Sequence, residues 1–160
     1  MSYKIIDTHA HIILEKCFGM AGKYGPEAGV DENGVHFFRI GDYKMQPMKY
    51  DNTVFMENNL RIELMDKLGI DLQLLSPNPL TMFHMIEKDI AIEFCKIHND
   101  AMAESVSQYP DRLIGSAALP MQDIDAACLE MERATKSLGL KAVSTGTDYP
   151  FGLDDPRLDD

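Results

Sequence analysis

Lys4-Ile5-Ile6-Asp7-Thr8-His9-Ala10-His11-Ile12-Ile13 is the stretch from which the rest of the chain is read. It is short, apolar and β-branched at several positions, the composition of a buried strand. Side chains alternate between the two faces of a strand. Asp7, His9 and His11 are therefore expected on one face, with Ile6, Thr8, Ala10 and Ile12 on the other. Two imidazoles two residues apart on a rigid strand can hold one metal ion, because neutral imidazole is the commonest metal ligand. Asp7 would then orient a ligand or a bound water. The other reading is two satisfied core histidines, and a His-x-His alone does not choose between them.

The 160 residues suffice for one domain with a substantial core. A hydrophobic fraction of 45% and a charged fraction of 26% are those of an ordinary globular protein. The net charge of -11 argues against nucleic acid and against an anionic membrane surface, since both need clustered Lys and Arg. No apolar run is long enough to span a bilayer, and the N-terminus lacks the basic and apolar regions of a signal peptide. Cys17, Cys95 and Cys128 are an odd number, widely spaced and without a CxxC pair. That pattern suits reduced cytoplasmic thiols better than a disulfide framework or a zinc cluster. Cys95 and Cys128 fall within helical patterns and are expected in the core.

After the first strand the chain is irregular from Phe18 to about Val54, with many Gly and Met residues and no sustained helical period. Within this excursion, residues 35–40 read as a strand, Gly41-Asp42 as its hairpin turn and Tyr43-Lys44-Met45 as the returning strand. A connection of this length inside a compact domain is usually functional or disordered. A helix is predicted from about Glu57 to Leu68, with Leu60, Leu64 and Leu68 as its stripe and Gly69 as its stop. Residues 70–76 form the second strand of the main series, ended by Pro77 and Pro79. A helix follows from about Glu87 to Gln108, with Ile90, Phe94, Ile97 and Ala101 on one stripe and Ala91, Cys95, His98 and Met102 on the next. Residues 113–119 are the third strand. Asp123 caps a helix to Leu138 that carries Ile124, Cys128, Met131, Thr135 and Leu138 on one face, and Gly139 closes it. Residues 142–146 are the fourth strand, and the tail from Leu153 is acidic.

Alternating strands and helices imply a parallel sheet with right-handed crossovers. No GxGxxG follows any strand, so dinucleotide binding has no support. Sites on parallel α/β folds are built on the loops after the strands. The long excursion is the first of these loops and would hang beside His9 and His11.

An ordered set of motifs now becomes specific. It comprises Ile6-Asp7-Thr8-His9-Ala10-His11, then Arg61-Ile62-Glu63-Leu64-Met65-Asp66-Lys67-Leu68-Gly69-Ile70, then Asn99-Asp100-Ala101-Met102-Ala103 with Tyr109-Pro110-Asp111-Arg112-Leu113-Ile114-Gly115. Ala118-Leu119-Pro120-Met121-Gln122, Glu130-Met131-Glu132-Arg133 with Leu138-Gly139, and Leu153-Asp154-Asp155-Pro156-Arg157-Leu158 complete it. No single motif is diagnostic; the set is. It resembles the N-terminal half of a metal-dependent amidohydrolase-superfamily barrel, in the branch of aminocarboxymuconate-semialdehyde decarboxylase and related aromatic-acid decarboxylases. The resemblance covers nearly the whole chain, most loosely in the excursion.

The resemblance implies an α/β fold of the (β/α)8 TIM-barrel type over residues 1–160, with only about the first four strands present. A complete barrel takes roughly 250 residues. The expectation is therefore either part of a longer protein or a truncated half-barrel with an open sheet edge. In the family the remaining metal ligands lie on strands five, six and eight, so the catalytic acid or base is expected beyond Asp160.

The implied function is a metal-dependent, non-oxidative decarboxylase acting on a carboxylated aromatic or muconate-like small molecule. Hydrolase and hydratase chemistry, or a non-catalytic half-barrel, are the alternatives. The implied cofactor is a divalent metal, Zn²⁺ foremost, on His9 and His11. A homodimer is among the family's habits. Arg39, in Phe37-Phe38-Arg39-Ile40, is the counterpart of an arginine that meets the substrate carboxylate, a task suited to guanidinium; a solvated hairpin arginine is the competing reading. Phe83 and His84, after the second main strand, are candidates to line the substrate pocket, against a plain surface loop. Asp148 resembles a strand-eight metal ligand but follows the fourth strand here and reads as a loop carboxylate. His36 and His98 read as structural, Arg61 as the partner of a nearby carboxylate, and the Met residues at helical spacing as core.

Overall fold

The computed structural model describes residues 5–146, 151–152 and 154–158. Lys4 and the segment 147–150, which carries Asp148, lie outside them. The first strand, β1, is Ile6–Ile12. The excursion then carries β2 (Glu27–Val30), β3 (His36–Ile40) and β4 (Tyr43–Met45). The regular alternation follows: α1 (Asn58–Leu68), β5 (Leu72–Pro77), α2 (Lys88–Ser107), β6 (Leu113–Ala118), α3 (Ile124–Glu132) and β7 (Ala142–Ser144). Strands β1, β5, β6 and β7 lie side by side in that order, every pairing parallel. This is the α/β alternation that the sequence predicts.

The excursion is an ordered unit rather than a loose loop. Strands β2, β3 and β4 form a separate antiparallel sheet with β3 in the centre. It has its own small core, in which Ile13, Phe38 and Tyr50 are buried. The Tyr50 ring sits edge-on between Phe38 and Phe55, at 5.0 and 5.4 Å. The hairpin at Gly41-Asp42 stands as predicted, but β2 does not appear in the sequence reading. Its Glu-Ala-Gly-Val has no clean alternation, and a ring supplies the reason for Gly29: an added Cβ would come within 3.2 Å of Phe37.

The helix limits follow local chemistry. Gly69, at φ 71°, ends α1 with its N–H on the Asp66 carbonyl, while the Ile70 N–H bonds the Met65 carbonyl. This is a Schellman closure, and it needs the left-handed residue that glycine supplies. The Asp123 side chain accepts the Ala126 N–H at the start of α3.

Two helix faces differ from expectation. In α1 the buried residues are Asn58, Arg61 and Met65, while Leu64 and Leu68 are 42% and 61% exposed. In α3 Ala127 and Glu130 turn inward, with Ala134 just beyond, while Cys128 and Met131 face out. Both helices are rotated so that polar side chains are buried: Asn58 and Arg61 in α1, Glu130 in α3. Cys17 and Cys95 are buried free thiols, whose pKa burial pushes up to about 12.

The main core lies between the sheet and its helices. Ala10, Ile12, Leu75, Leu113 and Ala117 meet Met65, Phe94, Met102 and Leu140. At Gly115 the approach is so close that a Cβ would fall 2.7 Å from Met102 Cγ and 2.9 Å from Leu140 Cδ2. The opposite face of the sheet carries His11 and Ser76, and the candidate site is built there.

Candidate metal centre

Strand β1 does not alternate throughout. Asp7 pairs with Gln73, but Ala10 pairs with Leu75, so Thr8 and His9 together oppose a single residue. This is a β-bulge, which re-aims the side chains beyond it. Asp7 consequently turns with Gln73 towards α1. His11 pairs with Ser76, on the other face. The expectation that Asp7, His9 and His11 share one face is corrected by this one extra residue.

His9 and His11 do stay together. Their ring centroids are 5.0 Å apart and nearly perpendicular, with 77° between the planes. His11 Nδ1 lies 3.1 Å from the Pro77 carbonyl and 2.9 Å from Ser76 Oγ. A carbonyl only accepts, so Nδ1 carries the proton and Nε2 keeps its lone pair. Ser76 Oγ in turn donates to the Ala10 carbonyl at 3.1 Å, which completes the orientation. Fixing a histidine's tautomer through its second nitrogen is how proteins prepare an imidazole for a metal. Ser76 went unnoticed in the sequence; its signal is its place at the end of a strand, just before Pro77.

Behind the histidines lies a polar chain. Arg61 is 5% exposed. Its Nη1 donates to Gln73 Oε1 at 2.8 Å, and its Nη2 donates to the His11 carbonyl at 2.9 Å and to the Val54 carbonyl. Gln73 Nε2 donates to Asp7 Oδ2 at 2.7 Å, and Asp7 Oδ1 accepts the His9 N–H at 3.0 Å. The His9 amide first, and Gln73 second, hold the Asp7 carboxyl below the usual carboxylate range. Burial lowers Arg61 to about 10, against the pull of Asp7, so it remains charged at neutral pH. The expected carboxylate partner of Arg61 is thus reached only through Gln73. A cleft of about 270 Å³ opens here at the free edge of β1, lined by Asp7, His9, His11, Arg61, Leu64 and Gln73 among others.

The expected substrate residues are placed differently. Arg39 is occupied inside its own hairpin: Nε and Nη2 meet Glu27 Oε2 at 2.7 and 2.6 Å, and Nη1 bonds the Lys23 and Gly41 carbonyls. The free guanidinium expected for a carboxylate is therefore already committed to fastening β3 to β2. Phe83 is a core residue, its ring edge-on to Phe94 at 4.6 Å. It also lines a second cleft, of about 530 Å³, with Tyr24, Ile40 and Tyr43 of the excursion. Its backbone sits at φ 39°, a conformation disfavoured for a bulky residue. Gln122 holds this turn by donating to the Phe83 and Ile86 carbonyls. The next residue, His84, reaches the end of β7: a Cβ on Gly146 would lie 2.3 Å from His84 Nε2. His84 therefore stands at the carboxyl end of the sheet, where loop-borne sites form.

Among the described residues no three His, Cys, Asp or Glu side chains gather to hold an ion. Among the described residues, His9 and His11 are the two imidazoles whose rings stand in contact. His98 is buried in α2 beside Phe94. Several residues of the sequence motifs are held in the scaffold. Asn99 Nδ2 bonds the Ala118 carbonyl and Glu130 Oε1, Glu130 pairs with Arg133, and Arg133 with Asp100. Arg112 ties Asp66 and the Ile70 carbonyl to β6.

With this geometry in place, comparison with known proteins is informative. Residues 6–160 match the family model described as amidohydrolase. The chain is 28% identical over 157 residues to the 2-amino-3-carboxymuconate-6-semialdehyde decarboxylase of Dictyostelium discoideum, covering 96% of this chain and 43% of that protein. It is 40% identical over 128 residues to the gamma-resorcylate decarboxylase of Rhizobium radiobacter, covering 80% and 36%. Among solved structures, it matches a dihydroxybenzoic acid decarboxylase from Polaromonas sp. JS666, which holds manganese and 2-nitroresorcinol. That match has a TM-score of 0.63 at 26% identity and covers 89% of this chain and 38% of that one. The chain thus spans less than half the length of these relatives.

Proposed function

This chain belongs to the amidohydrolase family, and on that premise we propose that it carries part of the active site of a metal-dependent, non-oxidative decarboxylase. The substrate class is a carboxylated aromatic or muconate-like acid, the class named in the relatives above. The observation that carries the reading is the 3.1 Å contact of His11 Nδ1 with the Pro77 carbonyl, which leaves Nε2 for a ligand beside His9.

In this reading His9 and His11 hold a divalent ion, with further ligands from outside residues 1–160. Once bound, the ion supplies a Lewis acid for the substrate's carboxylate and neighbouring oxygen. Imidazole accepts either Zn²⁺ or Mn²⁺. Manganese becomes the first ion to test, ahead of the expected zinc, because the Polaromonas relative holds it. His84, at the carboxyl end of the sheet, contacts the substrate's polar edge. Arg39 keeps its hairpin role and is not part of the binding set.

The test is made on the full chain that contains this segment. Metal content is measured by mass spectrometry before and after reconstitution with Mn²⁺ or Zn²⁺. Carbon dioxide release is then followed with gamma-resorcylate and with 2-amino-3-carboxymuconate-6-semialdehyde. His11→Ala is expected to lose the metal and the activity together. A full chain that takes up no divalent ion, or a His11→Ala variant that retains it, would end the proposal.

A further inference from the structure

We infer that Arg61 is a positioning residue, one that sets the spacing and pointing of His9 and His11 through a chain of hydrogen bonds that starts at its buried guanidinium and ends at the exposed His9 amide. The inference rests on the metal reading above and goes beyond it, since Arg61 lies behind the strand and touches neither imidazole. Nη2 grips the carbonyl of His11 directly at 2.9 Å, and Nη1 reaches the amide of His9 through Gln73 and Asp7, in three successive contacts of 2.8, 2.7 and 3.0 Å. His9 lies in the β-bulge and His11 just beyond it, where a strand otherwise has freedom to slide its register.

The bulge makes the frame necessary. It leaves Thr8 and His9 opposite one residue, so the ladder alone does not determine where His9 points. Asp7, turned to the helix side by the same bulge, becomes the acceptor for the His9 amide. Gln73 occupies its two amide ends in opposite senses, accepting from Arg61 and donating to Asp7. The guanidinium fork alone can serve the His11 carbonyl, the Val54 carbonyl and Gln73 at once. Val54 belongs to the segment that enters α1, so the frame also anchors the end of the excursion beside the site.

The experiment measures binding of Mn²⁺ alone, and of Zn²⁺ alone, to the metal-free full chain, together with amide hydrogen exchange at His9. Arg61→Met is expected to weaken binding by about 10- to 100-fold, the range typical of partners that orient metal ligands. Gln73→Met leaves the carbonyl bonds of Arg61 in place and cuts only the branch to Asp7, so it is expected to give a smaller loss and faster exchange at His9. Should Arg61→Met fail to fold, Gln73→Met decides by itself. Asn99→Ala serves as the control for destabilisation alone, and its metal affinity is expected to match wild type. Unchanged affinity and unchanged His9 exchange in a folded Gln73→Met variant would overturn the inference, as would an equal loss of affinity in Asn99→Ala. A wild-type chain that binds neither ion, yet whose His9 exchange still depends on Gln73, would sink the metal reading and leave the hydrogen-bonded frame standing.

Discussion

Behind β1 a buried arginine serves the strand that carries His9 and His11; behind β6 a buried asparagine and glutamate serve only their own scaffold. The physics is the same in both places. Buried polar groups favour partners, and a hydrogen-bonded network defines one arrangement of the elements it joins, although Arg61 Nε is buried without a partner. Arg61 joins α1 to β5 and to the backbone of the metal strand. Asn99 joins α2 to α3 through Glu130 and to β6 through both its amide ends, which bond the Ala118 carbonyl and N–H. What differs is the far end of each chain. One network ends on candidate ligands, and the other ends on helices. A residue that recurs in a family motif can therefore be structural, while one with no chemistry of its own governs a site.

The largest expected effect that separates the two regions is at Glu130. Glu130→Ala leaves Asn99 and Arg133 without a buried carboxylate and is expected to cost about 3 kcal/mol of stability. Urea unfolding reads that loss, and the metal affinity of the folded protein should not change. A fall in affinity comparable to that of Arg61→Met would erase the distinction between the two networks.

Acid sharpens the comparison next. Burial lowers the His98 imidazole to about 4, from an ordinary 6.5. Its folded pKa is depressed, so the unfolded chain takes up the proton more readily. The stability it contributes is complete above about 6.5 and is lost as pH falls towards 4, by about 2 kcal/mol between pH 7 and 5. Urea midpoints at the two pH values measure this, and His98→Phe should remove most of the slope. Asp7 is depressed too, so its contribution is present above 3.8 and is lost only as pH falls below that value. Acid should thus loosen the α2 side first and the β1 side afterwards, with His9 amide exchange reporting the second event.

The smallest effect lies at the mouth of the site. Gly146→Ala places a methyl group 2.3 Å from His84 Nε2, so something must shift, and the imidazole is expected to be what moves. Stability should fall by only about 1 kcal/mol, while the His84 ring resonances shift in an NMR spectrum. Unmoved His84 resonances would show that the loop yields instead, and His84 would lose its place in the proposed site.

The strand-and-helix order was legible because period and punctuation are local signals. Gly69 and Asp123 terminate and start helices by hydrogen bonds within a few residues. The closeness of His9 and His11 was legible for the same reason, since they stand only two residues apart. Asp7 was misjudged because a bulge is a property of the partner strand as much as of β1. The Leu64–Leu68 stripe and the Cys128–Met131 stripe looked like core, yet Arg61 and Glu130 take the inward positions. No apolar count anticipates that, because a buried polar residue is tolerated only where distant partners happen to meet it. Arg39 shows the converse: a side chain matched to a substrate by its motif is held by Glu27, twelve residues away on a strand the alternation does not announce.

By itself the sequence determined the α/β class, the parallel main strands and the two imidazoles on one strand, which follow from local periodicity and spacing, while the family came from the resemblance its ordered motifs carry. Only the tertiary structure decided that Asp7 faces away from them, that His11 has its proton on Nδ1, and that Arg61 stands behind both. Those facts depend on register and on groups some 50 to 66 residues apart in the chain, and such separations leave no periodic trace for a sequence reading to find.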